Sequence, residues 1–308
     1  MARETAAWDD YWNSLDGDRR GCLPAGLRRI QNIERHIWVE ATMGLPSGSR
    51  VLDLATGDGT VLRMIAEART DLELIGVDSA VRLPEAPKGV HLQPGISMEA
   101  LPFADQSVDL ITSQFGFEYG DMAESAGEIR RALKPNGQYQ MIVHHADGPI
   151  VAQNRARLAA LEWALNESQL VEQAKALFQM RRTRTVDTPE HLRRAPVEAR
   201  LAFPNQSVAE EIAIAILQTL ELWRTRSPDE AIDIIESLQR RGRFEMVRIK
   251  ALCEAAQSEA GIDELRRVLV AAGLYISGVS PVSEAVGFPP FGWHINGRRA
   301  EQKRGAVA

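Results

Sequence analysis

Apolar residues recur along this chain with more than one period, and the changes of period set out its elements. Trp8, Tyr11, Trp12 and Leu15 fall at helical spacing, as do Ile30, Ile33, Ile37 and Trp38 within 27–43, which predicts two amphipathic helices near the amino terminus. From Val51 onward the pattern becomes short apolar runs of the kind buried on both faces of a sheet. Residues 51–54, 72–77, 90–93, 108–113 and 138–144 read as strands, with helical spacing between them at 61–65 and 121–133. Further on, a helix at 262–271 capped by Gly273 leads into strands at 274–282 and 291–298. The intervening stretch is helical in pattern at 150–180, 208–225 and 229–260, with Pro189, Pro196, Pro204 and Pro228 as breaks. Ser227-Pro228-Asp229-Glu230 opens the last of these with a cap, a first-turn proline and acids.

The first strand ends in two glycines, Gly57 and Gly59, before Val61, Leu62, Met64 and Ile65 resume at helical spacing. A glycine turn between a buried strand and a helix lets the backbone approach a ligand closely, and the N–H groups opening the helix supply donors and a partial positive charge. A nucleotide-like cofactor is the expected ligand. The dinucleotide fingerprint needs a third glycine where Leu62 stands, which weakens a reading as an NAD site. Asp78 closes the second strand at the offset from the glycines where an acid can accept both hydroxyls of a ribose.

Taken as acid-x-Ala-x-Gly-x-Gly, with Asp53, Ala55, Gly57 and Gly59, the segment resembles motif I of the class I S-adenosylmethionine-dependent methyltransferases, Ala55 replacing the first glycine. Residues 96–111, I-S-M-E-A-L-P-F-A-D-Q-S-V-D-L-I, are similar to that family's D-A-E-x-L-P-F-x-D-x-S-F-D block. Leu133-Lys134-Pro135-Asn136-Gly137 matches its L-K-P-x-G turn, in which proline ends a helix and glycine allows a positive φ before the fifth strand. The resemblance implies an α/β fold, a Rossmann-like doubly wound sheet of seven strands with the last antiparallel, and S-adenosyl-L-methionine as cofactor, with S-adenosyl-L-homocysteine as product. It places Asp53 near the methionyl part of the cofactor through the loop that contains Thr56, and Asp78 with Ser79 at the ribose. Ser97 stands where the family has an acid for the adenine amine, Met98 would lie on the ring, and Glu99 would cap the following loop. Gln114 and Phe115 end the fourth strand beside the cofactor, and Tyr11 or Trp12 would fold over it, where aromatic rings attract a sulfonium.

After the fourth strand the chain reads Q-F-G-F-E-Y, not the Asn/Asp-Pro-Pro-aromatic turn that indicates methylation of a planar nitrogen. Phe115-Gly116 match the centre of the A-F-G-L-R-N run of the menaquinone and ubiquinone C-methyltransferases, whereas Phe117-Glu118-Tyr119 do not match its end. The resemblance is therefore to their broad neighbourhood and not to their substrate. Methyl transfer from a sulfonium is an in-line displacement that needs positioning and exclusion of water, with no metal and no covalent residue. A phenol, enol or ring-carbon acceptor also benefits from a base. Candidates at the ends of strands four and five are Glu118, Tyr119, His144 and His145; because strand side chains alternate, one of the two histidines must face away. His294 reads as structural.

Composition changes this picture little. The chain has 308 residues, an apolar share of 44% and a formal net charge of −6, which disfavours a general affinity for nucleic acid despite the local run of Arg181, Arg182 and Arg184. Cys22 and Cys253 make no disulfide framework. No apolar run approaches the ~20 residues of a membrane helix, and the expected location is cytoplasmic. The expected organisation is a helical cap at 1–45, a cofactor-binding core at 46–146 and 261–299, and a helical insertion at 147–260 serving as substrate lid or homodimer surface. Three functions remain open: methyl transfer to a small, partly apolar acceptor such as a quinone-like, phenolic or secondary metabolite, on oxygen or carbon in preference to nitrogen; methyl transfer to RNA or protein; and cofactor binding without turnover by a partner protein.

Overall fold

A computed structural model of the protein describes residues 2–14 and 28–300. Leu15, Cys22 and Leu27 lie outside the described residues, as does the tail after Ala300. The chain divides into two compact units, one made of residues up to Ala152 together with those from Ala251 onward, the other of Gln153–Lys250.

In the first unit, helices α1 (Ala2–Ser14) and α2 (Arg28–Thr42) precede β1 (Arg50–Leu54), α3 (Thr60–Ala66), β2 (Glu73–Asp78), β3 (Val90–Pro94), β4 (Val108–Gln114), α4 (Met122–Ala132) and β5 (Leu133–His144). The seven strands form one sheet in the order β3-β2-β1-β4-β5-β7-β6. Strands β1 to β5 pair in parallel, while β7 (Pro290–Arg299) runs antiparallel between β5 and β6 (Leu274–Ser283). Alternation along β1 and β4 sorts the core into two layers. Leu52, Leu54 and Ile111 face α4 and α10 (Glu259–Ala271), which contribute Ala126, Ile129, Leu265 and Leu269. Val51 and Leu110 face α2 and α3, which contribute Ile30, Trp38, Val61, Leu62 and Ile65. Burial of these aliphatic side chains on both faces is what makes the strands read as continuous apolar runs.

The turn expected at 133–137 is instead part of β5. Leu133 pairs with Val108 and Gln138 with Leu110, so a bulge takes up the extra residues on the β5 side. Gly137 is not among the positive-φ residues; what requires glycine there is space, since a Cβ would stand 3.0 Å from Leu133 Cδ2 and from the Lys134 backbone. Gly273 does take a positive φ of 81°, and the α10 helix ends on it as expected.

The second unit is helical. Its helices are most of α5 (Pro149–Glu162), α6 (Leu170–Arg181), α7 (Glu190–Ala202), α8 (Val208–Glu221) and most of α9 (Pro228–Ala255). The continuous helix expected over 150–180 is interrupted by a π-helical turn at Trp163–Glu167 and by Gln169 at φ 56°. Pro196, read as a break, lies inside α7, whereas Pro189 caps its start. Ser227 and Glu230 cap α9 reciprocally: Glu230 accepts from the Ser227 N–H at 2.9 Å, and Ser227 Oγ from the Glu230 N–H at 3.2 Å. The arginine run offers less positive charge than it suggests in sequence. Arg181 donates to the Val186 and Leu220 carbonyls at 2.9 and 2.8 Å and lies over the Phe178 and Trp223 rings, and Arg182 pairs with Asp229.

Arg131 on α4 ties down the loop that follows β3. Its guanidinium donates to the Phe103 and Leu101 carbonyls at 2.6 and 2.9 Å and pairs with Glu128 and Asp105. Glu128 in turn accepts the Leu101 N–H at 2.7 Å. Replacing Arg131 by Met is expected to lower unfolding free energy by about 2 kcal/mol, as charge-assisted hydrogen bonds are lost while apolar packing remains. Urea denaturation checks this: the midpoint falls and the slope stays unchanged.

Candidate active site

The carboxyl ends of β1, β2, β4 and β5 share one edge of the sheet, and nearly all the residues singled out in sequence gather there. β1 leaves the sheet through Ala55, at φ 51°, into the turn of Gly57 and Gly59, at φ 54° and 73°. Ala55 thus holds a left-handed conformation that glycine adopts without strain, which accounts for the glycine usual at this position. The turn is shaped around its neighbours. A Cβ on Gly57 would lie 2.4 Å from the Trp12 ring, and one on Gly59 would lie 3.1 Å from Pro87. Tyr11 packs edge-on against Trp12 at 4.9 Å, so α1 lies against the glycine turn and presents both rings named from sequence. Asp9 of the same helix accepts the Val81 N–H at 2.9 Å.

Asp78 ends β2 almost fully buried. One carboxylate oxygen accepts the Gly57 N–H and the other the Ala80 N–H, each at 2.9 Å, and burial raises its pKa. The carboxylate is therefore locked to the glycine turn, with Ser79 beside it. Ile96 N–H donates to the Asp78 carbonyl at 2.8 Å, which brings the 96–103 segment to the same strand end. There Ser97 Oγ bonds the Glu99 carboxylate, and Glu99 Oε1 accepts the Asp121 N–H at 3.0 Å, a bond to the start of α4 and not to the loop directly after Glu99. Met98 packs on the core below. The Thr56 and Thr60 hydroxyls on the turn are buried without a partner. A paired-glycine cradle, a locked acid and two unsatisfied hydroxyls are a donor set suited to an adenosyl group.

Asp53 lies deeper than its neighbours. It is 1% exposed, accepts from Thr112 Oγ1 at 2.7 Å, and its pKa is raised to about 7 by burial, moderated by the Thr112 hydrogen bond and by the nearby Thr56 hydroxyl, which completes no bond to it. Its geometry makes it a tie between β1 and β4 beneath the glycine turn. A second tie runs from Ser113 Oγ to the Leu54 carbonyl at 3.1 Å, and the Ser113 oxygen also accepts the Phe117 N–H at 3.1 Å.

Beyond β4 the chain folds back over β5. Phe115 takes φ 53° and its ring stacks on His144 with centroids 4.2 Å apart. A single turn of 3-10 helix, Phe117–Tyr119, then brings Glu118 under His144. Glu118 Oε1 accepts both the His144 backbone N–H, at 2.9 Å, and the imidazole at Nδ1, 2.8 Å away. A carboxylate can only accept, so Nδ1 carries the proton and Nε2 is left as the basic nitrogen. The Tyr119 ring stands edge-on to His144 at 6.1 Å and to Trp8 at 5.9 Å. His145 faces the other way: it stacks on Trp293 at 4.8 Å, its Nδ1 accepts the Asp147 N–H, and burial lowers its pKa. Of the four base candidates, the fold brings together Glu118, Tyr119 and His144 and sets His145 apart. His294 pairs with Gln140 at 2.9 Å.

Glu34 at this edge went unread in sequence, and Trp38 was read only as part of an apolar helix face. Glu34 and Trp38, one helical turn apart on α2, are buried against Gln114, and Trp38 Nε1–H donates to Gln114 Oε1 at 2.5 Å. An acid on the stripe formed by Ile30, Ile37 and Trp38 was the available signal. A polar groove of about 530 Å³ along Gln138, Gln140 and Asn296 lies over the early part of β5, away from these strand ends. Among the described residues no group of three or more His, Cys, Asp or Glu side chains is placed to hold a metal ion, and no helix is long and apolar enough to cross a membrane.

The raised pKa of Asp53 has a definite sign in stability. Between its ordinary value of 3.8 and about 7 the unfolded chain has released a proton that the folded chain keeps, so the contribution to stability present below pH ~4 is lost as pH rises to ~7. Asp53→Asn keeps an oxygen for Thr112 but cannot titrate. Its unfolding free energy is expected to fall less than the wild type's between about pH 4 and about pH 7, measured by urea titration at each pH.

Residues 51–137 match a sequence family described as a methyltransferase domain. A demethylmenaquinone methyltransferase of Thermotoga maritima is 41% identical over 93 residues, 29% of this chain and 41% of that protein. The ubiquinone/menaquinone biosynthesis C-methyltransferase UbiE of Geotalea uraniireducens is 38% identical over 102 residues, 30% of this chain and 43% of that protein. The chain thus spans less than half the length of these curated relatives. Among solved structures, a geranyl diphosphate C-methyltransferase from Streptomyces coelicolor A3(2) aligns over 96% of this chain and 98% of that one, at 12% identity and a TM-score of 0.47, too low to bear on function. The sheet order 3-2-1-4-5-7-6 and the glycine turn locked to Asp78 lie within or around the matched stretch, and residues 51–137 of this chain are similar to a methyltransferase domain.

Proposed function

We propose that the protein transfers a methyl group from S-adenosylmethionine to oxygen or to an activated carbon of a small, partly apolar acceptor, with His144 as general base. The observation that carries this reading is the 2.8 Å contact between Glu118 Oε1 and His144 Nδ1 at the edge that also bears Asp78. Bound cofactor supplies an electrophilic sulfonium methyl. Asp78 would hold the ribose, its carboxylate kept in place by the Gly57 and Ala80 N–H groups. Ser97, Met98 and the glycine turn with Thr56 would line the adenine and methionyl parts, and Trp12 and Tyr11 would cover them.

A neutral amine nucleophile has its lone pair ready, whereas a phenol, enol or carbon acid must lose a proton as the new bond forms. Glu118 fixes the tautomer that leaves His144 Nε2 able to take that proton, and it stabilises the imidazolium that results. Phe115 stacked on the ring restricts its rotation, and the aromatic group of Phe115, Tyr119 and Trp8 provides a low-polarity wall that suits a flat, partly apolar acceptor. The quinone methyltransferases among the relatives support an acceptor of that general type.

Transfer of a tritiated methyl group, measured over a panel of phenols, quinols, amines and RNA, tests the reading. Turnover confined to amines or RNA refutes it, and calorimetric binding of the cofactor with no turnover on any acceptor favours a non-catalytic partner. His144→Ala is expected to lower kcat by about 10²–10⁴-fold with little change in cofactor affinity. Asp78→Ala should do the opposite, weakening cofactor binding by about 1.5–3 kcal/mol in calorimetry, the worth of hydrogen bonds to a charged group.

A further inference from the structure

Gln114 is the last residue of β4, half-buried, and its side chain shares a strand face with Thr112 and Leu110, toward α2. An amide at such a position could point either way, but Trp38 removes the ambiguity. An indole N–H has no lone pair to offer, so the atom 2.5 Å from Trp38 Nε1 must be the amide oxygen, and the NH₂ group points the other way. Behind the amide stands Glu34, 1% exposed, with neither carboxyl oxygen in a formed hydrogen bond. Burial pushes the Glu34 pKa up to about 8; the nearby Gln114 amide draws it down in part without completing a bond in this geometry. Among the described residues no formed hydrogen bond takes the Gln114 NH₂ donors, one of which can turn toward Glu34 and the other away from it. A buried acid with both oxygens unmatched is costly to keep, and an amide whose oxygen is already committed can present only its hydrogens.

The next residue is Phe115, whose ring stacks on the candidate base His144, so Gln114 stands at the strand end beside the place where the proton would be taken. Removing a proton from a phenol or enol leaves negative charge on oxygen, and fixed N–H donors aimed at that oxygen favour its formation. We propose that Gln114, oriented by Trp38 and backed by Glu34, receives an oxygen of the methyl acceptor and so sets its specificity for hydroxyl- or carbonyl-bearing aromatic molecules. This assigns Gln114 to the acceptor and not to the cofactor, and it rests on the methyl-transfer reading above. Trp38 and Glu34 are positioning residues, since they act only through the amide.

The test compares two probes of the same outline, 1-naphthol and naphthalene, by equilibrium dialysis with their own fluorescence as the signal, in the presence of S-adenosylhomocysteine. Wild-type protein is expected to bind 1-naphthol about tenfold more tightly than naphthalene, the worth of one well-made hydrogen bond. Gln114→Leu should abolish that preference by weakening naphthol binding while naphthalene binding holds. Trp38→Phe keeps the glutamine but lets its amide turn, and should reduce the preference by several-fold; it carries the test alone if the first variant does not fold. A wild type that binds both probes equally, or a Gln114→Leu protein that keeps the preference, overturns the proposal. Calorimetry of S-adenosylhomocysteine on the same proteins separates this failure from that of the methyl-transfer reading. Affinity for the cofactor product should be the same in wild type and Gln114→Leu, and a marked loss in the variant would return Gln114 to the cofactor and overturn the proposal.

Discussion

How closely β1 and β4 can end side by side governs this molecule. They are the neighbours at which the strand order turns from 3-2-1 to 4-5-7-6, the position where a crevice opens beyond a parallel sheet. The seam is drawn shut by side chains: Asp53 with Thr112, and Ser113 with the Leu54 carbonyl. Just past it both chains enter left-handed backbone, at Ala55 and at Phe115, and a Cβ on Gly116 would sit 2.4 Å from the Ala55 methyl. Glycine at 116 is therefore a condition of that approach. Because the two strands part abruptly there, the glycine turn swings toward Asp78 and the Phe115 turn swings toward His144, opening the two halves of the site from one origin.

The same edge concentrates acids that water does not reach. Asp53, Asp78, Glu118 and Glu34 are all at least nine-tenths buried, and burial raises the pKa of Asp53, Asp78 and Glu34. The fold answers differently in each case. Asp78 accepts two backbone N–H groups, Asp53 a threonine hydroxyl, and Glu118 a backbone N–H together with an imidazole, whereas Glu34 accepts nothing in a formed bond. Groups held this firmly need little rearrangement when a ligand arrives, which is the physical content of a preorganised site.

Much of this was readable in the sequence because it depends on local patterns. Buried parallel strands show as short apolar runs, the acid that locks the glycine turn stands at a fixed offset from its glycines, and the parity rule requires that His144 and His145 part company, though not which of them faces inward. What escaped reading depends on space. The Lys134–Gly137 stretch has the composition of a turn, yet pairing with β4 draws it into a bulged strand, because a bulge tolerates proline and glycine. Pro196 sits within α7, since a single lost hydrogen bond is tolerated where Leu192, Ala195 and Ala199 bury the same helix. The Trp38–Gln114–Glu34 cluster joins residues far apart in sequence, and only the packing of α2 on the sheet reveals it.

Gln257 donates its N–H to the His144 carbonyl at 2.8 Å, and its own carbonyl accepts the Ala146 N–H at 3.0 Å and the Trp293 indole at 2.9 Å. The chain departing after β5 and the chain returning before α10 are therefore clasped together at the doorstep of the histidine. Whatever lies along the excursion between them can be lengthened, trimmed or exchanged while the imidazole keeps its place. A lineage could thus refashion that helical stretch and leave the histidine end of the sheet as it was.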